Sequence, residues 1–149
     1  MTFTIRPPRV TDQGFVAKTW ATSLVSMQTD RSTPSHVWRE LFAPVNKTID
    51  GILDDTARTR LKIACDAQRT DDVFGWLCYA PMKAARLLHY VYVRKRRRGQ
   101  GIARALMAAA GMADDRPLWW TMKGPSGDEL IAKMRTTCIH VPVKEYLAA

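Results

Sequence analysis

The chain has 149 residues, of which 46% are hydrophobic and 25% charged, and its 23 Lys and Arg residues against 14 Asp and Glu residues give a formal net charge of +9. This composition predicts one globular domain over residues 1–149 and excludes a helical membrane protein, because no apolar run approaches the roughly 18 residues that span a bilayer. The first ten residues lack the apolar core of a secretory signal, which predicts a cytoplasmic protein, and the excess of positive charge favours an anionic partner without choosing among nucleic acid, an acidic protein and a polyphosphate ligand.

The amino-terminal part of the chain predicts one strand followed by helices. Residues 2–6 form a short strand, and a helix follows from about Asp12, where apolar residues recur at helical spacing. Ser32-Thr33-Pro34 indicates a second helix start, with the threonine as N-cap and the proline at the first helical position. Pro44 is predicted to end that helix, and residues 49–53 form a further helical turn or two.

Strand patterns dominate the middle of the chain. Arg60–Asp66 alternates apolar and polar residues, whereas Val73–Ala80 is almost continuously apolar, and Arg86–Val93 is the next strand. The remaining predicted elements are an alanine-rich helix over residues 101–113, a strand over 117–122, a helix over 127–135 and a strand over 138–143. The order β-α-α-β-β-β-α-β-α-β predicts a mixed sheet with helices on its faces, an α/β or α+β fold.

The segment RKRRRGQGIARALM, residues 94–107, lies between a predicted strand and a predicted helix. The first N–H groups of a helix have no intrahelical acceptors and carry partial positive charge, and glycines at the turn let an anion approach the backbone. Gly99 and Gly101 occupy that turn, so the segment predicts a phosphate-binding loop. A Walker A loop is excluded because its pattern is absent, and a dinucleotide fingerprint is excluded because Arg104 stands where the third glycine is needed.

On these residues the chain resembles the GCN5-related N-acetyltransferases (GNAT). Arg98-Gly99-Gln100-Gly101-Ile102-Ala103 matches the acetyl-CoA signature [RQ]-x-x-G-x-[GA] of that family, and residues 96–101 match it in a second register. The preceding HYVYV is similar to the fourth strand of the family, and GIARALM to the start of its third helix. The resemblance implies a mostly antiparallel central sheet flanked by helices, and an acetyl-CoA-dependent enzyme that moves an acetyl group to a primary amine by direct attack on the thioester.

The resemblance also implies which residues bind the coenzyme. Backbone amides of residues 98–103 would hold the pyrophosphate, and backbone groups of Val91 and Val93 would pair with the pantetheine arm. Arginines of the basic run could reach the pyrophosphate or the 3′-phosphate, although a solvated loop remains the alternative for their side chains. The implied coenzyme-binding residues are Val91, Val93, Arg96, Arg97, Arg98, Gly99, Gln100, Gly101, Ile102 and Ala103.

His89 and Tyr146 are the candidates for proton transfer. An alkylamine with a pKa of roughly 10 is mostly protonated at neutral pH, so a base must remove a proton. By the period of two along a strand, His89 is expected to share a face with Val91 and Val93, and its intrinsic pKa suits a general base. A buried, hydrogen-bonded structural histidine is the alternative. The resemblance implies a tyrosine acid in the helix after strand five, where Met134 stands instead.

Tyr146 is therefore the candidate acid, although it lies far along the chain. This departure from the family suggests a shortened carboxy-terminal part, an unusual substrate, or a protein that binds acetyl-CoA with little turnover.

The histidines and the three cysteines lack the spacing of a metal site, so no metal is predicted. The acceptor amine is not identified by any motif, and a homodimer is compatible with the sequence. The alternative function is a basic nucleic-acid-binding protein, or a GNAT-like enzyme that modifies nucleobases, with residues 94–98 as its phosphate contacts.

Overall fold

The computed structural model describes residues 2–149 and arranges them as a mixed α/β fold. The strands are β1 (Phe3–Arg6), β2 (Arg60–Asp66), β3 (Val73–Ala80), β4 (Arg86–Val93), β5 (Leu118–Trp120) and β6 (Cys138–His140). The helices are α1 (Asp12–Met27), α2 (Ser35–Leu53), α3 (Ile102–Ala109), α4 (Pro125–Ala132) and α5 (Val143–Ala148).

The strands form one sheet in the order β1-β2-β3-β4-β5-β6. The first four strands are antiparallel neighbours, whereas β5 pairs with β4, and β6 with β5, in parallel. The helices flank this sheet, so the predicted fold class is confirmed. Every residue of β3 is buried, as expected for a central strand covered on both faces.

Two apolar layers enclose the sheet. On one face, Val91 and Val93 of β4 pack with Ile102 and Leu106 of α3. On the other face, helices α1 and α2 pack through a second cluster, in which Trp20 stacks on Tyr90 with ring centroids 5.5 Å apart. Each face of β4 therefore contacts a different set of helices.

Helix α2 runs through Pro44, so the prediction that this proline ends the helix is wrong. Pro44 lies on the exposed side of α2, where water can satisfy the carbonyl of Glu40 that has lost its intrahelical donor. Ile49 and Ile52, on the other side of the same helix, are buried against the core. Apolar burial on the core side therefore maintains the helix beyond its proline.

Several element ends also differ from the prediction. Pro34, and not Thr33, occupies the N-cap of α2, and the hydroxyl of Thr33 accepts the Asp30 N–H at 3.0 Å in the preceding turn. Helix α3 ends before Gly111, whose φ of +70° stops a helix, and α4 begins earlier, at Pro125. Helix α5 was not predicted at all.

A β-bulge interrupts the pairing of β3 with β4. Cys78 is opposite Tyr90, whereas Tyr79 is opposite Leu88, so His89 is the extra residue. The bulge shifts the alternation by one residue: Leu88, Val91 and Val93 face α3, while the His89 ring contacts Tyr146 of α5, a helix that packs on α2. The expectation that His89 shares a face with Val91 and Val93 is therefore wrong.

Among residues 2–149, no helix is both long and apolar enough to cross a membrane.

Candidate active site

A gap opens in the sheet where β5 separates from β4. The two strands pair over only three residues each, Arg86–Leu88 with Leu118–Trp120. The Thr121 N–H donates to the Leu88 carbonyl at 3.0 Å, and the chain then turns away into α4. The second half of β4 consequently has no strand neighbour on this side, within the part of the chain that the structure describes.

The backbone of Val91 and Val93 faces this gap. The Arg94 N–H donates to the Phe74 carbonyl at 2.8 Å, so the polar groups of Arg94 point towards β3. Because these groups alternate along a strand, those of Val91 and Val93 point the opposite way. The Val93 carbonyl accepts the Nε–H of Arg98 at 3.1 Å, which agrees with that direction. This edge can pair with an extended, amide-bearing ligand arm.

The loop after β4 leaves a series of backbone donors unused. Gly99 and Gly101 have φ values of +78° and +81°, a conformation that favours glycine. The first bond of α3 runs from the Ala105 N–H to the Gly101 carbonyl at 3.0 Å. In residues 2–149, the N–H groups of residues 99–104 donate to no backbone carbonyl, so they are free to bind an anion.

A cleft of about 270 Å³ lies between this loop and helix α4. Its lining includes seven of the predicted coenzyme-binding residues: Val93, Arg97, Arg98, Gly99, Gly101, Ile102 and Ala103. The opposite wall was missed by the sequence reasoning and consists of Ser126, Glu129, Leu130 and Lys133. Their spacing of three or four residues places them on one face of α4, and this spacing could have been read from the sequence. The hydroxyl of Ser126 is buried without a hydrogen-bond partner.

Arg96, Gln100 and Val91 are the predicted coenzyme residues that do not line this cleft. Arg96 lines a separate depression beside Phe74, and the side chain of Val91 is buried in the core between sheet and helices. The structure therefore divides the predicted set into residues around the cleft and residues beside or beneath it.

The basic run does not present its cations as one free patch. The guanidinium of Arg97 stacks on the Phe74 ring at 4.3 Å, and Arg94 pairs with Asp72 at 4.0 Å. Arg98 donates to the backbone of Val93. These side chains are directed to protein groups, which gives the nucleic-acid alternative no support.

His89 lies at the fork between β4 and β5 and is fully buried. Its Nδ1 is 2.8 Å from the Oγ1 of Thr121, while its Nε2 is buried without a partner. Burial, together with the nearby positive charge of Arg58 and against an opposing effect of Asp55, lowers the pKa of His89 to about 4. The imidazole is therefore neutral at physiological pH.

Tyr146 contacts His89 directly, with ring centroids 4.5 Å apart in an edge-to-face arrangement. Its hydroxyl is buried without a partner, and burial raises its pKa. The guanidinium of Arg58 lies 4.4 Å from the centre of the Tyr146 ring. The structure thus brings the two candidates for proton transfer together, although neither lines the cleft, and their catalytic roles stay predictions.

Within residues 2–149, no group of three or more His, Cys, Asp or Glu side chains is placed to hold a metal ion.

Residues 26–111 match the model of the acetyltransferase (GNAT) family. No curated protein is similar enough in sequence to match the chain.

Solved structures share the fold at low sequence identity. A "histone acetyltransferase HPA2 and related acetyltransferase" from Corynebacterium glutamicum is 16% identical, with a TM-score of 0.54 over 89% of this chain and 83% of that one. The PaiA N-acetyltransferase of Thermoplasma acidophilum, in complex with coenzyme A, is 14% identical, with a TM-score of 0.51. The match covers 74% of this chain and 70% of that one. The chain spans 63% of a structure assigned to the GNAT family from Desulfovibrio desulfuricans, which covers 73% of this chain at 21% identity and a TM-score of 0.46.

The family model covers more than half of the chain and includes β4, the glycine loop and α3, which form one side of the gap and one wall of the cleft. The chain belongs to the GNAT family of acetyltransferases.

Proposed function

We propose that this protein transfers the acetyl group of acetyl-CoA to a primary amine by direct attack of the amine on the thioester. The observation that carries the proposal is a path of backbone groups that lack a strand partner, along which the Val93 carbonyl accepts the Nε–H of the Arg98 side chain. It runs from the free N–H groups of residues 99–104, along the exposed edge of β4, to the bulge at His89.

The residues along this path match the chemistry of coenzyme A. The free amides at the start of α3 would bind the pyrophosphate, with Arg97 and Arg104 at the cleft as balancing positive charges. The peptide edges of Val93 and Val91 would pair with the amides of the pantetheine arm. This arrangement would direct the thioester to the fork between β4 and β5, beside His89.

The thioester supplies the acetyl group; its transfer forms a C–N bond, breaks the C–S bond and leaves a thiolate. The acceptor must attack as the free amine, because its lone pair forms the new bond. His89 is neutral and has an unused Nε2, so we propose that it takes the proton which the nitrogen gives up as the amide forms. The Tyr146 hydroxyl, beside it, is proposed to donate a proton to the departing thiolate.

Gly101→Asp tests the coenzyme site, with Gly111→Asp as a matched control. Both glycines have positive φ and open space around the position of a Cβ, so the two substitutions impose similar backbone strain. Gly101 lines the cleft, whereas Gly111 follows the far end of α3. We expect Gly101→Asp to weaken acetyl-CoA binding by at least about a hundredfold, measured by calorimetry, because it adds a carboxylate where the pyrophosphate binds.

Gly111→Asp should bind acetyl-CoA with the affinity of the unmodified protein. Equal affinities of the two variants would contradict the site assignment, and failure of the unmodified protein to bind acetyl-CoA would contradict the proposed function. Circular dichroism of both variants checks that each is folded before their affinities for acetyl-CoA are compared.

A further inference from the structure

A second groove, of about 590 Å³, lies on the face of the sheet opposite the cleft. It runs between helix α1, Tyr92 of β4 and the start of α4 at Pro125. The residues of its lining on which the inference depends are Lys18, Thr19, Thr22, Ser23, Ser26 and Arg98. An inference about this groove rests on the proposed function, because it concerns the second substrate of the same reaction.

The groove meets the coenzyme cleft at the gap in the sheet. Arg98 lines both cavities, and Pro125 lines the groove while its neighbour Ser126 lines the cleft. Between them, the hydroxyls of Ser23 and Tyr90 lie 2.7 Å apart, and Gly124 packs so closely on Tyr90 that a Cβ would clash with the tyrosine hydroxyl. A molecule in the groove therefore approaches the gap from the face opposite to the coenzyme.

The wall that α1 contributes is unusually rich in hydroxyl groups. Thr19 and Ser23 are already used, since Thr19 accepts the indole N–H of Trp76 at 2.9 Å and Ser23 pairs with Tyr90. Thr22 and Ser26, one turn apart on the same helix face, make no side-chain hydrogen bond within residues 2–149. Their hydroxyls are available to a ligand.

The charged side chains that line the groove are all positive. Lys18 and Arg98 line it, and no Asp or Glu of the described chain does. Neither cation forms an ion pair with a carboxylate in that part of the chain. Arg98 uses its Nε–H for the Val93 carbonyl, which leaves its terminal nitrogens without a carboxylate partner among residues 2–149.

We infer that this groove binds the acceptor, and that the acceptor is an amine which also carries an anionic group, a carboxylate or a phosphate. Lys18 and Arg98 would attract that group, while the hydroxyls of Thr22 and Ser26 donate hydrogen bonds to it. A polyamine is disfavoured, because each additional ammonium group would meet positive charge with no carboxylate to balance it.

Matched acceptors test the inference. Each pair keeps the amine and changes the anionic group: α-amino acids against their carboxamides, an amino sugar phosphate against the free amino sugar, and spermidine as the polycation. Acetyl transfer is followed through the release of coenzyme A thiol. The anionic member of at least one pair should have the lower KM, and the two kinds of pair separate a carboxylate from a phosphate acceptor.

Lys18→Glu should raise the KM of the anionic acceptor by roughly three- to tenfold, because an attractive surface charge becomes repulsive. The KM for acetyl-CoA should stay unchanged. Lys47→Glu is the control: it makes the same charge change at an exposed position of α2, outside the groove. Equal KM values for the two variants, or faster turnover of spermidine than of every anionic acceptor, would overturn the inference.

Binding without turnover provides an independent measurement. Amine-free carboxylates and sugar phosphates are titrated into the unmodified protein and into Lys18→Glu by calorimetry. Binding that weakens in Lys18→Glu supports the anionic groove even if no tested amine is acetylated, and absence of binding contradicts it. Failure to bind acetyl-CoA, measured separately, counts against the proposed function and leaves the groove measurement interpretable.

Discussion

His89 illustrates how one bulge changes the environment of a single side chain. Without the extra residue, its imidazole would face α3 together with Val91 and Val93. With the bulge it lies beneath Tyr146, fully buried, hydrogen-bonded to Thr121 through Nδ1. The same burial that removes it from water keeps it uncharged, with a pKa of about 4.

This burial predicts a pH dependence of stability. The ordinary pKa of histidine is 6.5, and that of folded His89 is about 4, so between these values the unfolded chain binds a proton that the folded chain does not. The free energy of unfolding should therefore fall as the pH is lowered from about 6.5 to 4, by up to about 3 kcal/mol from this residue. Urea titrations across that range measure the effect.

His89→Gln should flatten this part of the profile, since glutamine does not titrate. His36→Gln, at an exposed position of α2, is the control and should retain the slope. A slope of the same size in His89→Gln and in the unmodified protein would refute the assignment.

Among the elements, α2 shows that burial of one face can outweigh a helix breaker. Its proline is exposed, while Ile49, Ile52 and Leu53 near its end are buried. The lost hydrogen bond is on the solvent side, where water replaces it at a modest cost. The helix thus continues because the burial of its apolar side outweighs the loss of one backbone hydrogen bond.

Pro44→Ala should raise the free energy of unfolding by about 1 kcal/mol, because it restores one backbone N–H and gains helix propensity, partly offset by a more flexible unfolded chain. Ala43→Pro, at the adjacent exposed position, is the opposite change and should cost about 3 kcal/mol, since it removes a bond that the helix makes. Urea denaturation followed by circular dichroism measures both. Stabilisation by Ala43→Pro would show that this part of α2 is not helical in solution.

In the whole molecule, the sheet has two parts joined across a short contact. Strands β1 to β4 pair extensively, whereas β4 and β5 share three residue pairs before they separate. The cleft spans this division, with the loop and α3 on one side and α4 on the other. A ligand in the cleft would therefore add contacts where the pairing of β4 with β5 is short.

Coenzyme A should consequently slow amide hydrogen exchange on both sides of the division, in residues 98–104 and in α4, and leave α2 unchanged. At a hundred times its dissociation constant, the ligand should stabilise the fold by about 2.7 kcal/mol. Exchange measured by mass spectrometry with and without coenzyme A tests this. Protection confined to residues 94–97, with none in α4, would indicate that the basic run binds the anion outside the cleft.

The features predicted correctly are those that depend on short-range physics. The alternation of Arg60–Asp66 and the apolar run of Val73–Ala80 specify strands locally, and both strands have the predicted bounds. Likewise, Gly99 and Gly101 adopt positive φ because their own lack of a Cβ permits it. The glycine turn at the start of α3 could therefore be predicted from a few consecutive residues.

The features that were missed depend on contacts between distant segments. The bulge at His89 is set by how β4 pairs with β3, and the contact of His89 with Tyr146 requires α5 to fold back onto α2. The α4 wall of the cleft and the hydroxyl-rich groove of α1 likewise exist only because separate helices meet at the gap beside β4.

The sequence by itself determined the order of the six strands and of helices α1 to α4, and the glycine loop that opens α3, because backbone conformation and apolar periodicity are local properties of the chain. The tertiary structure alone decided which side of the sheet His89 faces, what buries it, and which side chains share a cavity with the loop. Those outcomes follow from strand register and helix packing, which bring together residues that no local pattern connects.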